Sequence, residues 1–191
     1  MCVLGCAGQG DFSAEEIELI RKGSENGIMR VLTIDDPADN AVLRLPSQDF
    51  SPEALKSEEY SELCSLMVST VTHPSQDGVG IAGPQVGLNR RVVAVQRFDK
   101  EGEPFEVYPN ISIVWASDSL ALGAEGCLSV PDRRGEVMRS TEIVIEYDKV
   151  GADGEESGAV ETVRDTVSGF TAVIFQHEVD HLDGILYIDR L

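Results

Sequence analysis

Apolar positions recur at helical spacing in two long stretches and alternate or cluster in several short ones. Phe170, Val173, Ile174, His177 and His181 follow the i, i+3, i+4, i+7, i+11 order of one helix face. Ser168 stands where an N-cap would, and Gly184 where a helix would stop. Tyr60, Leu63, Met67 and Val71 give a second stripe, and Ser51-Pro52-Glu53 reads as its start, with Ser as cap and Pro in the first helical position. Residues 11–22 predict a short amphipathic helix. Residues 29–34 read as an extended piece, followed by a polar loop to Phe50. Residues 91–98 and 105–116 pair as a hairpin around Asp99-Lys100-Glu101-Gly102, and a loop then leads to Glu125. Residues 142–148 and 159–165 form a second hairpin across the Gly- and Asp-rich stretch 151–158. Short turn-linked strands with few, separated helices predict an α+β fold, in which short antiparallel sheets pack around a central C-terminal helix. Residues 1–27 read as an N-terminal extension and residues 28–191 as one domain without internal repeats.

Composition narrows the class. The chain of 191 residues is long enough for one sizeable core, and no apolar run reaches the roughly 20 residues that span a bilayer. The formal charge of -19, from 15 basic and 34 acidic residues, argues against direct nucleic-acid binding. Cys2, Cys6, Cys64 and Cys127 are too scattered for a disulfide framework and contain no Cys-x-x-Cys clip, so a reduced compartment is the default. Cys64, beside the second stripe, reads as a packed small hydrophobe. Val3-Leu4-Gly5-Cys6 is like the end of a lipoprotein signal, which would anchor the chain through Cys6. The basic segment and the apolar core of about 7–15 residues that should precede it are absent.

The chemistry concentrates at residues 176–181, Gln-His-Glu-Val-Asp-His. Residues four apart on a helix share a face, so His177 and His181 can hold one ion, with Glu178 in reach of a water on it. A third ligand has to come from upstream. After His181 the acidic side chains are Asp183 and Asp189 alone, and no further His follows. Cys127 is the best candidate, because a thiolate binds borderline and soft divalent ions strongly. His73, next to Pro74, reads as a partner of its helix's C-terminal dipole rather than a ligand. Residues 78–85, Gly-Val-Gly-Ile-Ala-Gly-Pro-Gln, contain G-x-G-x-x-G. A helix precedes this segment, and Pro84 and then a strand follow it, the reverse of a dinucleotide-binding context. What remains is backbone that approaches something closely and ends in the amide of Gln85.

Residues 78–85, Glu125-Gly-Cys-Leu-Ser129 and residues 176–181 resemble, in order and spacing, the three motifs of peptide deformylases, and the similarity runs across residues 29–191. The resemblance implies a metal-dependent hydrolase that removes formate from the N-formyl-methionine of nascent peptides. Cys127, His177 and His181 would hold the metal, Glu178 would act as general base toward the activated water, and the Gln85 amide and the Leu128 N–H would steady the oxyanion. The methionine side chain would lie near Val79 and Val173, Gly80 would hydrogen-bond the extended peptide, and Arg134 matches a family position near the substrate. Glu125 is a candidate for a structural contact near the Cys127 loop, and Asp180 for a partner of a ligand histidine or for the helix's polar face. The cofactor implied is one Fe(II) ion, with Ni or Zn able to take its place. The implied location is the bacterial cytoplasm, with a lipid anchor at Cys6 the alternative. Two departures stand out. Gly83 replaces the family's usual Ala, and the basic helix that some members carry beyond the motif helix, associated with docking on ribosomes, is missing. A metallopeptidase with a wider cleft, a metal-holding binding protein and a structural zinc module with His73 as fourth ligand remain rival readings.

Overall fold

The computed structural model describes residues 11–151 and 159–191, so the Val3–Cys6 motif and most of the 151–158 stretch lie outside the described residues. Four helices and eight strands make up the fold: α1 Ala14–Asn26, α2 Pro37–Leu43, α3 Glu58–Val71, β1 Gly80–Ala82, β2 Val92–Gln96, β3 Phe105–Pro109, β4 Ser112–Ala116, β5 Leu120–Cys127, β6 Val130–Ser140, β7 Glu142–Val150, β8 Val160–Ser168 and α4 Gly169–Leu182. The strands form antiparallel sheets ordered β1-β2-β3 and β4-β7-β8, with β5-β6 as a separate ribbon. Helix α4 touches strands of all three.

The run Val92-Val93-Ala94-Val95 in β2 is apolar at every position because both of its faces are covered. Val92 and Ala94 pack with Leu63, Met67 and Val71 of α3. Val93 and Val95 pack with Ile174, Phe175 and Val179 of α4, together with Ile143, Ile145 and Val167 from the second sheet. The motif helix is thus wedged between the two three-stranded sheets. It stops at Leu182, and Gly184 follows in the left-handed region at φ 72°.

Several local expectations need correction. Ser51 caps only a single 3-10 turn, accepting from Ala54 N at 3.1 Å, and α3 starts at Glu58 behind a second cap, Ser57. The loop before Phe50 contains α2, whose Asp36 side chain accepts from Ala38 N and Asp39 N; seven residues are too few to show a helical period. Residues 29–34 form no strand, although Leu32 N donates to Gln85 O and Ile34 N to Ser129 O. Residues 105–116 split at Asn110, φ 52°, into strands of different sheets. The largest difference is the β5-β6 ribbon where a loop was expected. Its polarity runs inverted: Leu120 and Leu122 are exposed, whereas Glu125, Val137 and Arg139 are buried.

Helix α1 packs on α3, with Gly23 against Leu66 and Met29. It is tied by Arg90, whose guanidinium donates to both carboxylate oxygens of Glu16 at 2.6 and 2.9 Å. Glu16 also closes the capping box with Ser13. Burial alone would raise the Glu16 pKa; the bonds from Arg90 and Ser13 outweigh it and hold it below its usual value. A depressed carboxylate pKa contributes stability that is present above the unfolded value, near about 4.3, and is lost as pH falls through the folded one. Glu16→Gln is expected to cost about 1–2 kcal/mol at pH 7. In urea titrations the difference from wild type should shrink below about pH 4; a pH-independent difference would remove the ion pair as its cause.

Gly83 has a packing reason. A Cβ there would lie 2.6 Å from Arg90 O and 2.8 Å from Leu88 O, backbone atoms that cannot swing away. Gly83→Ala should therefore destabilise this chain by about 1–3 kcal/mol. An unchanged denaturation midpoint would show that the turn yields.

Candidate active site

The helical period of α4 brings His177 and His181 together, ring centroids 5.1 Å apart and planes at 71°. Cys127, at the end of β5, meets them from the ribbon, with its Sγ 3.2 Å from His181 Nε2. One ligand atom from each of the three side chains lies within 4.8 Å of the others. Two imidazole nitrogens and a thiolate suit a tetrahedral divalent ion of borderline softness, with a fourth position left for water or substrate.

The next layer orients this trio. His177 Nδ1 lies 2.8 Å from Glu125 Oε2. Donation from Nδ1 leaves Nε2 free to ligate, the arrangement by which a carboxylate fixes a metal-binding histidine. Burial would raise the Glu125 pKa, but hydrogen bonds from Arg139 and His177 prevail and hold it at about 2, so it stays an acceptor. Arg139 grips Glu125 at 2.8 and 3.0 Å and donates to Asp180 at 2.6 Å; Arg190 also bonds Asp180. Asp180 therefore reaches the histidine only through Arg139 and Glu125. Burial would lower the His177 pKa, but bonds to Cys127 and Glu125 raise it to about 10. Burial and the charge of His177 push His181 well below its usual value. An ion binding here has to displace protons from the trio.

Glu178 is buried, and its Oε2 finds no hydrogen-bond partner among the described residues. Burial pushes its carboxyl up to about 7, a value suited to taking and returning a proton near neutrality. Gly80 lies against it: a Cβ there would fall 2.5 Å from Glu178 Oε1. Gln85 is pinned, its Oε1 accepting from Ala82 N at 2.9 Å and its Nε2 donating to Ser129 Oγ at 3.1 Å and toward Cys127 Sγ at 3.5 Å. Its NH2 group is thereby aimed at the trio.

These groups open onto a cleft of about 890 Å³. Val79, Gly80, Gln85, Cys127, Leu128, Arg134, Val173, His177 and Glu178 all line it. β1 is the edge of its sheet, so Val79 and Gly80 border the cleft along an unpaired side. His73 instead bonds Ser75 and stays outside the trio. Sequence reasoning missed Arg139, Ser129, Ile174 and Phe170. Phe170 and Ile174 carried a signal by sharing the helix face of His177, and Ser129 by closing the 125–129 motif; Arg139 was hidden on an unexpected strand.

The profile of the polypeptide deformylase family matches residues 28–191. A peptide deformylase of Caulobacter vibrioides is 36% identical over 166 residues, covering 86% of this chain and 88% of its own length. One from Leptospira biflexa is 32% identical over 172 residues, with the same coverage of each chain, 86% and 88%. Among solved structures, the Met-Ala-Ser-bound class I type b peptide deformylase of Acinetobacter baumannii superposes with a TM-score of 0.70 at 34% identity, over 86% of this chain and 98% of that one. The Thermotoga maritima peptide deformylase gives 0.69 at 31% identity, over 86% and 97%.

Glu125→Gln should weaken metal binding about 10–100-fold, because the neutral amide holds the His177 tautomer less firmly. Competition against a chelator measures this, with circular dichroism as a check on folding. Undiminished affinity in a folded variant would deny Glu125 its orienting role.

Proposed function

Because the chain belongs to the peptide deformylase family, we propose that its cleft carries out that family's reaction with Cys127, His177 and His181 as metal ligands and Glu178 as the proton-transferring group. The enzyme is a metal-dependent hydrolase that removes the N-formyl group from nascent peptides. The observation that carries the residue assignment is the buried, unpartnered carboxyl of Glu178 beside a Cys-His-His trio.

A divalent ion held by the trio supplies Lewis acidity, lowering the pKa of a water and polarising the formyl oxygen. Fe(II) is the proposed physiological ion, with Ni or Zn competent to replace it. Glu178 accepts the water's proton at Oε2 as the new C–O bond forms. The negative charge that develops on the formyl oxygen is met by Gln85 Nε2 and by the backbone N–H of Leu128. Glu178 then delivers its proton to the amine as the C–N bond breaks, giving formate and a free N-terminus.

The peptide is proposed to lie extended along the open edge of β1, hydrogen-bonded at Gly80, as a strand added to a sheet edge. The A. baumannii structure is described as bound to Met-Ala-Ser, and a methionine side chain would here meet Val79, Val173, Ile174 and Phe170. Arg134, exposed at the rim, would face the distal part of the peptide. The formylated substrate places the enzyme where translation begins with formyl-methionine, the bacterial cytoplasm; among the described residues no helix is long and apolar enough to cross a membrane.

Formate release from formyl-Met-Ala-Ser by anaerobically purified protein tests the reading. Glu178→Gln should retain about one metal ion per chain and lose about 10²–10⁴ in kcat. Cys127→Ala should lose the ion itself. Full turnover by Glu178→Gln would discard the mechanism, and no turnover by metallated wild type would discard the substrate.

A further inference from the structure

Gly123 sits in the middle of β5, opposite Val137 of β6. Glycine in a strand interior is unfavourable and needs a cause, either an unusual backbone angle or a close approach. Neither is met within the protein. Gly123 is not among the residues of positive φ, and a Cβ built on it meets nothing within 4 Å. The hydrogen side chain instead leaves the space above this position open, where any larger side chain would stand.

An apolar recess of about 260 Å³ lies there, lined by Ala121, Leu122, Gly123, Val137, Phe170 and Val173. At the roughly 30 Å³ of one liquid water, its volume equals about eight of them. The recess and the main cleft share Phe170 and Val173, and Gly123 of the recess leads directly into Ala124 and Glu125 of the cleft. The polar side chains in its wall are engaged elsewhere. Ser140 Oγ donates to Ser117 O, Arg139 is held by Glu125 and Asp180, and Thr141 Oγ1 lies 3.4 Å from Ser117 Oγ. With these side chains engaged and the rest of the lining apolar or glycine, the recess suits hydrocarbon.

We infer that Gly123 is a specificity-determining residue, opening the methionine end of the cleft into this recess so that the site accepts formyl peptides whose first side chain is an unbranched hydrocarbon longer than that of methionine. The inference rests on the reading of the cleft given above. Phe170, large, exposed and shared by both spaces, forms the lip over which the longer chain runs. Val137 and Val173 then flank the chain beyond it.

The test is a series of formyl-X-Ala-Ser peptides in which X is methionine, norleucine, 2-aminooctanoate or 2-aminodecanoate, assayed with wild type and Gly123→Val. Each methylene that enters the recess is expected to raise kcat/KM of wild type about fourfold, the equivalent of about 0.8 kcal/mol per buried methylene. In Gly123→Val the ratio of kcat/KM for 2-aminooctanoate to that for methionine should fall at least tenfold. Affinities of the deformylated products, measured by calorimetry, should follow the same order. Wild type that hydrolyses formyl-Met-Ala-Ser but discriminates more than tenfold against the longer side chains overturns this inference and leaves the deformylase reading intact. Failure to hydrolyse any member of the series overturns the deformylase reading instead. The wild-type series decides the matter even where the variant does not fold, and a ratio unchanged in folded Gly123→Val removes Gly123 from the role.

Discussion

The hydrogen bond between His177 Nδ1 and Glu125 is the contact on which the site depends, because it ties a candidate ligand on the helix directly to the strand that carries Cys127. Helix α4 is positioned by the sheets on either side of it, and Cys127 by a ribbon that belongs to neither sheet. Glu125 precedes Cys127 by two residues on β5, with an irregularity in the pairing between them. Fixing the carboxylate against the histidine therefore fixes the thiol against the histidine pair. Arg139 and Asp180 extend the lock to β6 and back to α4, so every charge in this buried chain faces one of opposite sign. Ions withdrawn from water in this way add little net stability over an apolar packing. What the network contributes is geometry, the position of His177 relative to Cys127.

The same burial sets the character of the Glu178 carboxyl. Glu125 and Glu178 both lie beside His177 and are both buried, yet one is held at about 2 and the other at about 7. The difference lies in the hydrogen bonds each receives. Glu125 accepts from Arg139 and His177, which stabilise its charged form; Glu178 Oε2 receives none among the described residues, so desolvation prevails there over the opposing charges of His177 and Arg139. One carboxylate becomes a fixed acceptor and the other a group that can exchange a proton. Two side chains of one type thus divide the work by environment.

Much of this was legible in the sequence because it rested on periodicity and spacing. The pair His177 and His181 and the face carrying Phe170, Val173 and Ile174 follow from the helical period, the stop at Gly184 from glycine's freedom at a helix end, and the strand at β2 from its β-branched run, though not the burial of both its faces. The β5-β6 ribbon was not legible, since its apolar residues Leu120, Leu122 and Met138 face outward and its buried face carries Glu125 and Arg139. A strand whose buried face is ionic inverts the pattern by which strands are recognised, and its glycine reads as a loop. The role of Glu125 was hidden for the same reason: its partner lies fourteen residues away, across a hairpin that hydrophobicity does not announce. Helix α1 raises a different point, since its amphipathic run was visible but not its tie to Arg90, a long-range contact between charged residues.

On the proposed reading, selection of a formyl group would follow from how closely β1 and α4 approach at Glu178. At Gly80 even a methyl group would overlap Glu178 Oε1 and come within 2.9 Å of Ile174 Cγ2. Backbone that close to a carboxyl leaves little width for the acyl carbon that must sit between them and the trio. A formyl carbon carries only hydrogen, whereas an acetyl carbon adds a methyl group to the tightest part of the cleft. Overpacking of this kind costs about 1–3 kcal/mol even where neighbours can relax, and here one neighbour is sheet backbone and the other a helix wedged between two sheets. The rigidity that the core gives to β1 and α4 is therefore what turns a small difference in acyl size into a difference in rate, while the open recess past Val173 leaves the other end of the substrate free to vary.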